Sequence, residues 1–168
     1  MIGIAAVASY IPPNSESNFA KKTIFDVDDD FILNKLGVER VSRKAPDEET
    51  SDLCVKAFQA LQHTNNNLSI AKYDCLVVCT QNPDANGMPH TSAIVHGKLD
   101  LPDECACFDI SLGCSGYVYA LSVVKAFMES NAMRAGLLFT ADPYSNVLDP
   151  NDKNTIMLFG DAATVTVL

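Results

Sequence analysis

Ala106-Cys107-Phe108-Asp109-Ile110-Ser111-Leu112-Gly113-Cys114-Ser115-Gly116-Tyr117 is the stretch on which the fold turns. Residues 106–109 read as a buried strand. Two glycines then bracket a cysteine, and residues 115–130 follow as the longest helix, with Val118, Leu121, Ser122, Lys125 and Phe127 along it. A strand that turns through a glycine corner directly into a helix is the repeating step of an α/β sheet.

The flanking sequence repeats that step. Upstream, residues 91–99 read as a helix, preceded by a loop with Pro83, Gly87 and Pro89. Residues 74–79 form a continuous apolar run, the mark of a strand covered on both faces. Residues 50–62 carry Leu53, Cys54, Ala57, Phe58, Ala60 and Leu61 at helical period, and Asn65-Asn66-Asn67 breaks that helix. An acidic-headed helix is expected over 28–36, stopped by Gly37 as its C-cap. A strand over 2–8 ends at the turn signal Pro12-Pro13-Asn14. Downstream, 136–142 and 162–168 read as further strands. The expectation is one α/β domain over residues 1–168, a parallel or mixed sheet with helices on both faces, without repeat or linker. Because Thr164-Val165-Thr166-Val167-Leu168 stops inside a β-type run, the chain reads as a piece of something longer.

Composition narrows the class. Of 168 residues, 48% are hydrophobic and 20% charged, which excludes disorder, collagen and coiled coil. No apolar run reaches the roughly 18 residues of a membrane span, and Met1-Ile2-Gly3-Ile4-Ala5 lacks the basic start of a signal peptide. Twelve basic against 21 acidic side chains give −9, which argues against nucleic acid or an anionic membrane as partner. A cytoplasmic protein is expected. The cysteines Cys54, Cys75, Cys79, Cys105, Cys107 and Cys114 lie mostly in apolar runs and do not form a disulfide framework. No metal is expected: Cys75 and Cys79 stand about 13 Å apart on one strand, and no CxxC or HxxxH accompanies them.

The chemistry concentrates at Cys114. A cysteine at a helix N-terminus meets unpaired N–H groups and the positive end of the dipole, which favour the thiolate. The same N–H groups can hold a developing oxyanion, and Gly113 and Gly116 allow a tight turn and close substrate approach. On composition alone a buried structural cysteine is the competing reading.

The segment from Asp109 to Leu121 resembles the active-site segment of the β-ketoacyl-acyl carrier protein synthase III family, in the thiolase superfamily. The opening strand and turn, Asp29-Asp30-Phe31 with Gly37-Val38-Glu39-Arg40, and Asp149-Pro150-Asn151-Asp152-Lys153-Asn154-Thr155 with Phe159-Gly160-Asp161 are similar to other blocks of that family. The resemblance covers the whole chain but only the N-terminal half of the usual enzyme. It implies a thiolase-like half, one of two pseudo-duplicated halves, with a mixed, mainly parallel sheet and helices on both faces.

By the same resemblance, Cys114 takes an acyl group from an acyl-coenzyme A and passes it to a carbanion formed by decarboxylating malonyl-acyl carrier protein. Coenzyme A enters as a thioester substrate; no cofactor is implied. The family's catalytic histidine and asparagine belong to the C-terminal half, and His63, His90 and His96 do not match that histidine. Phe31 stands where family members place a tryptophan against adenine. Lys35 and Lys153 replace arginines that meet the cofactor-like nucleotide, keeping charge but losing the bidentate fork. Asn154 is placed with them as substrate-binding. Met88 matches a position that reaches the acyl pocket of the partner in a homodimer, paired through the strand of Phe108. Met157, Leu158 and Phe159 read equally as pocket lining or as core.

Two departures stand out. The family's Gly-Asp-Gly-Ala-Gly reads Gly160-Asp161-Ala162-Ala163-Thr164 here, a stiffer turn. Related hydroxymethylglutaryl-coenzyme A synthases place a general-acid glutamate near Gln81, and an amide cannot replace it. The alternatives left open are a specialised acyltransferase of polyketide, quinolone or surface-glycan assembly, and a non-catalytic partner subunit of a heteromeric ketosynthase. A cysteine hydrolase would need a histidine base beside Cys114, and none has that context.

Overall fold

The structure, a computed structural model, describes residues 2–64 and 73–168. The Asn65-Asn66-Asn67 breaker lies outside the described residues. In chain order the strands are β1 (Ala6–Tyr10), β2 (Ser15–Ser17), β3 (Arg40–Ser42), β4 (Cys75–Cys79), β5 (Ala106–Ile110), β6 (Gly136–Ala141) and β7 (Ala163–Val167). The α-helices are α1 (Lys22–Phe25), α2 (Thr50–Thr64), α3 (Thr91–Lys98), α4 (Gly116–Ser130) and α5 (Lys153–Ile156). The chain divides into two compact units: Met1–Tyr10, Glu49–Asp142 and Ala163–Leu168 in one, Ile11–Glu48 and Pro143–Ala162 in the other.

The first unit is a five-stranded sheet in the order β1-β7-β6-β4-β5. β4 pairs in parallel with β5 and β6, while β7 runs antiparallel to both β6 and β1. The sheet is therefore mixed, with four of its five strands pointing one way. Every residue of β4 is buried, as its unbroken apolar run requires. Leu76 and Val78 pack on one face with Leu53, Ala57, Phe58 and Leu61 of α2. Cys75, Val77 and Cys79 pack on the other with Ala120, Val124 and Met128 of α4. On β5 the carboxylate of Asp109 caps α3, accepting from the N–H groups of Thr91 and Ser92, both at 2.8 Å.

The second unit is built around the antiparallel β2–β3 pair. Asp161, fully buried, accepts from Lys44 N–H at 2.9 Å, Ser145 N–H at 3.0 Å and Ser145 Oγ–H at 2.6 Å. Gly160 beside it is required sterically, since a Cβ there would meet Ser42 N at 2.9 Å. Met157 is fully buried in this unit and Phe159 stacks on Tyr144 with ring centroids 4.9 Å apart, so core packing accounts for both.

Two boundaries differ from the sequence reading. The first strand is Ala6–Tyr10 rather than 2–8, because only that part runs along β7. The helix expected over 28–36 becomes a π-helix over Phe31–Leu36, closed by the Gly37 N–H bond to Ile32 O at 3.0 Å. Gly37 is the left-handed C-cap, at φ 69°.

The buried thiols carry a pH signature. Burial pushes Cys75 up to about 12 and Cys105 to about 11 from the ordinary thiol value of 9.0. The unfolded chain then loses these protons at lower pH than the folded one, so their contribution is complete below pH 9.0 and is lost as pH rises toward those values. Guanidinium titrations are expected to show stability falling from pH 8 to 11, with a shallower fall in Cys75→Ala. An identical slope in that variant counts against the assignment.

Candidate active site

Because β4, β5 and β6 are parallel, their carboxyl ends share one edge of the sheet, where open α/β sheets place ligands. Three loops leave that edge: Thr80–Gln81–Asn82 after β4, Ser111–Ser115 after β5, and Asp142 after β6. Asp142 Oδ1 ties the first to the third, accepting from Gln81 N–H at 2.7 Å, Thr80 Oγ1 at 3.1 Å and Asn82 Nδ2 at 3.2 Å.

Cys114 lies in the second loop, one residue before Ser115, the N-cap of α4. The Gly116 N–H donates to Gly113 O at 2.7 Å, closing a turn around Cys114 and Ser115. No side chain caps the first turn of α4, which leaves its leading N–H groups for water or a ligand. Cys114 is the exposed cysteine; Cys107 is half-buried and the other four are buried. The thiol therefore lies open on this chain, not at the floor of an enclosed cleft, and the reading of it as a buried structural cysteine fails.

The two glycines serve close packing and not unusual backbone angles. Gly37 and Gly87 are the glycines at positive φ among the described residues, so neither Gly113 nor Gly116 needs a left-handed conformation. A Cβ at Gly116 would lie 2.5 Å from Cys79 Sγ and 3.2 Å from Leu112 Cβ. A Cβ at Gly113 would lie 2.5 Å from Gln81 Oε1. The contact between Gln81 and Gly113 was not legible from the sequence, because 32 positions separate them and only strand pairing joins their loops.

In the second unit, Asp26, Val27, Asp28, Phe31, Lys35 and Lys153 line a cavity of about 400 Å³. Lys153 Nζ stands 5.4 Å from the centroid of the Phe31 ring, a cation–π distance. Asp28 Oδ1 accepts from Phe31 N–H at 2.8 Å and sets the start of the π-helix. One aromatic face, two ammonium groups and two carboxylates thus meet at one opening. Three of the residues named from sequence, Phe31, Lys35 and Lys153, are brought together here; Asp26 and Asp28 were missed, since acidic residues beside a glycine-capped helix read as solvated charge.

The remaining candidates scatter. Asn154 is exposed on α5, its N–H bonded to Asp152 Oδ1 at 3.1 Å. Met88 is 85% exposed. His63 ends α2 exposed, His90 is the N-cap of α3, and His96 Nε2 is bonded to Pro102 O at 3.0 Å.

The family described as 3-oxoacyl-[acyl-carrier-protein (ACP)] synthase III matches residues 108–168. The β-ketoacyl-[acyl-carrier-protein] synthase III of Helicobacter hepaticus is 36% identical over 166 residues, 98% of this chain and 49% of the relative. That of Caldanaerobacter subterraneus is 35% identical over 167 residues, covering 99% and 49%. The crystal structure of the Thermus thermophilus enzyme superposes with a TM-score of 0.91 at 31% identity, over 99% of this chain and 51% of that one. The chain belongs to the β-ketoacyl-acyl carrier protein synthase III family. It spans about half the length of the curated relatives it matches. Its mixed sheet with helices on both faces is the thiolase-like half of the synthase III fold.

Exposure separates the six thiols of this synthase III chain. Brief iodoacetamide treatment of the native protein at pH 8 is expected to label Cys114 first and Cys107 slowly, with all six labelled after denaturation. Labelling of Cys79 or Cys75 at the rate of Cys114, read by peptide mass spectrometry, would contradict the packing described.

Proposed function

We propose that this chain is the N-terminal, nucleophile-bearing half of a decarboxylative ketosynthase III of fatty acid or related biosynthesis. The observation that carries the reading is the exposed Cys114 in the Gly113–Gly116 turn, ahead of the uncapped first turn of α4. In the proposed reaction the Cys114 thiolate attacks the carbonyl of an acyl-coenzyme A, and the C–S bond to coenzyme A breaks, releasing its thiol. Malonyl-acyl carrier protein then loses carbon dioxide, and the resulting enolate attacks the acyl-enzyme. A carbon–carbon bond forms, the bond to Cys114 breaks, and the thiolate is restored. One hard condensation becomes two easier steps, and first-turn N–H groups of α4 supply donors for charge developing near the sulfur.

The cavity of the second unit is assigned to the nucleotide end of coenzyme A. Phe31 offers a stacking face, Lys35 and Lys153 meet phosphate, and Asn154 and Met88 flank the donor path. Asp26 and Asp28 offset the two lysine charges, which favours a weaker grip on a polyphosphate than paired arginines give. Met157 and Phe159 contribute as support for this region. No cofactor beyond the thioester substrate is required.

The C-terminal half of the enzyme is the proposed cover of α4. Val118, Tyr119 and Val123 of that helix are 70%, 61% and 45% exposed, a row of large apolar side chains opposite the buried Ala120 and Val124. A helix apolar on both sides is one that a folded protein buries. β5 is an edge strand of the sheet, and pairing across it gives the proposed homodimer. No helix among the described residues is long and apolar enough to cross a membrane, and the cytoplasm is the compartment proposed. The alternative, a non-catalytic partner subunit, is disfavoured by the retained and accessible Cys114.

Intact-mass spectrometry of the full-length protein with acyl-coenzyme A is expected to show one acyl group on Cys114, absent in Cys114→Ala. Residues 1–168 alone should acylate slowly and lose condensation by at least about 10⁴-fold, since general acid–base and oxyanion groups are each worth about 10²–10⁴ and 10²–10³. Turnover of that piece near the full enzyme's rate, or acylation surviving in Cys114→Ala, refutes the reading.

A further inference from the structure

We infer that Gln81 is a substrate-positioning residue of the Cys114 site, and that it selects for acyl groups bearing an oxygen beyond the thioester carbonyl. The inference rests on the reading of Cys114 as the acylated nucleophile.

Its loop is held rigidly by other groups. Thr80 and Asn82 are 3% and 8% exposed. Thr80 N–H donates to Ile110 O at 3.0 Å, Asn82 N–H to Thr80 Oγ1 at 2.9 Å, and Asp142 takes the Gln81 N–H. Asn82 O also accepts from Thr50 Oγ1. These bonds run through the Gln81 main chain and through its neighbours, while its side chain is the one in the triplet turned outward. A residue that sits on a fixed backbone and faces the surface is placed for recognition more than for folding.

That side chain ends at the nucleophile's turn. Measured from a Cβ built on Gly113, Gln81 Oε1 lies at 2.5 Å, Cδ at 3.0 Å and Nε2 at 3.6 Å. Gly113 is not at positive φ, so its backbone does not call for glycine. The carboxamide lying across it is what excludes a side chain, and Cys114 is the next residue along the chain.

The chemistry of the amide defines what it can read. A primary amide stays neutral at working pH, neither exchanging protons nor setting charge beside a thiolate; its two N–H donors and its carbonyl form hydrogen bonds. An acyl group with a hydroxyl at its third carbon offers such a partner. A plain alkyl group strips water from the amide without replacing it, and sites built around a polar group reject the substrate that lacks its partner.

The test uses the full-length protein and follows transfer of 3-hydroxybutyryl and acetyl groups from coenzyme A to Cys114 by intact mass. The wild type should take the hydroxylated group faster. Gln81→Leu should lower the ratio of the two rates about tenfold, by analogy with other lost polar contacts. Gly113→Ala should move the ratio in the same direction by pushing the flexible carboxamide aside, with the melting temperature retained. Gln81→Asn, which keeps the amide on a shorter stem, should fall between wild type and leucine. A wild type that takes acetyl equally fast or faster, or a ratio unchanged in both Gln81→Leu and Gly113→Ala, overturns the inference while leaving Cys114 as nucleophile. A wild type that acquires neither group overturns both. If Gln81→Leu fails to fold, Gly113→Ala and Gln81→Asn still decide the question.

Discussion

The seating of the first residue of α4 against the last residue of β4 is the contact from which the carboxyl edge of the sheet takes its form. At Gly116 a single added carbon would stand 2.5 Å from Cys79 Sγ, and Cys79 is itself buried and bonded to Leu112 O at 3.5 Å. With both partners held, the helix cannot start a residue earlier or slide outward without opening the layer of Val77, Ala120 and Val124. Everything before Gly116 must then be turned in the few residues left after β5. The bond from Gly116 N–H back to Gly113 O does this, and it leaves Cys114 outside the layer. Nucleophile exposure thus follows from core packing, since the turn is too short to bury its middle.

The parts of this arrangement that were legible in the sequence are those governed by burial. The run Cys75–Cys79 reads as a two-sided strand because every residue in it is buried, and α4 reads as a long helix because its apolar residues recur at helical spacing. Elements set by hydrogen bonding among polar residues were not legible. β2 and β3 are three residues each, largely exposed, and lie 22 positions apart, so neither period nor turn signal announces their pairing. The π-helix over Phe31–Leu36 has the composition of an α-turn; the register of its last bond, not its residues, makes it different. The same division holds at the candidate site. Cys114 and its glycines announce themselves locally, whereas Gln81 and Asp142 join them only through the parallel pairing of β4 with β5 and β6.

Each unit spends one aspartate on fixing its loops. In the first, Asp142 gathers three donors from the residues after β4. In the second, Asp161 gathers three from Lys44 and Ser145 and is itself fully buried. A carboxylate that accepts several N–H and O–H bonds replaces the water it loses, and loops held this way need no apolar anchor of their own. That leaves the outward residues of those loops without a structural task, which is the condition under which a polar side chain such as Gln81 can be chosen for what it meets in substrate.

The apolar surface of α4 completes the physical picture. Scattered exposed hydrophobic residues are ordinary on any protein. Val118, Tyr119 and Val123 are not scattered: they occupy spacings of one, four and five along a helix, and so share one side of it. The opposite side, Ala120, Val124 and Met128, is already buried against the sheet. A helix with two apolar sides has no stable position at a boundary with water and belongs between two layers. The sheet supplies one layer. For the other, the helix that presents the nucleophile needs a cover that stops short of Cys114 at its amino end, so that the thiol lies in a cleft between the two. The exposure of Cys114 and of the α4 stripe are thus two consequences of one geometry, and a single docking half of the same kind satisfies both.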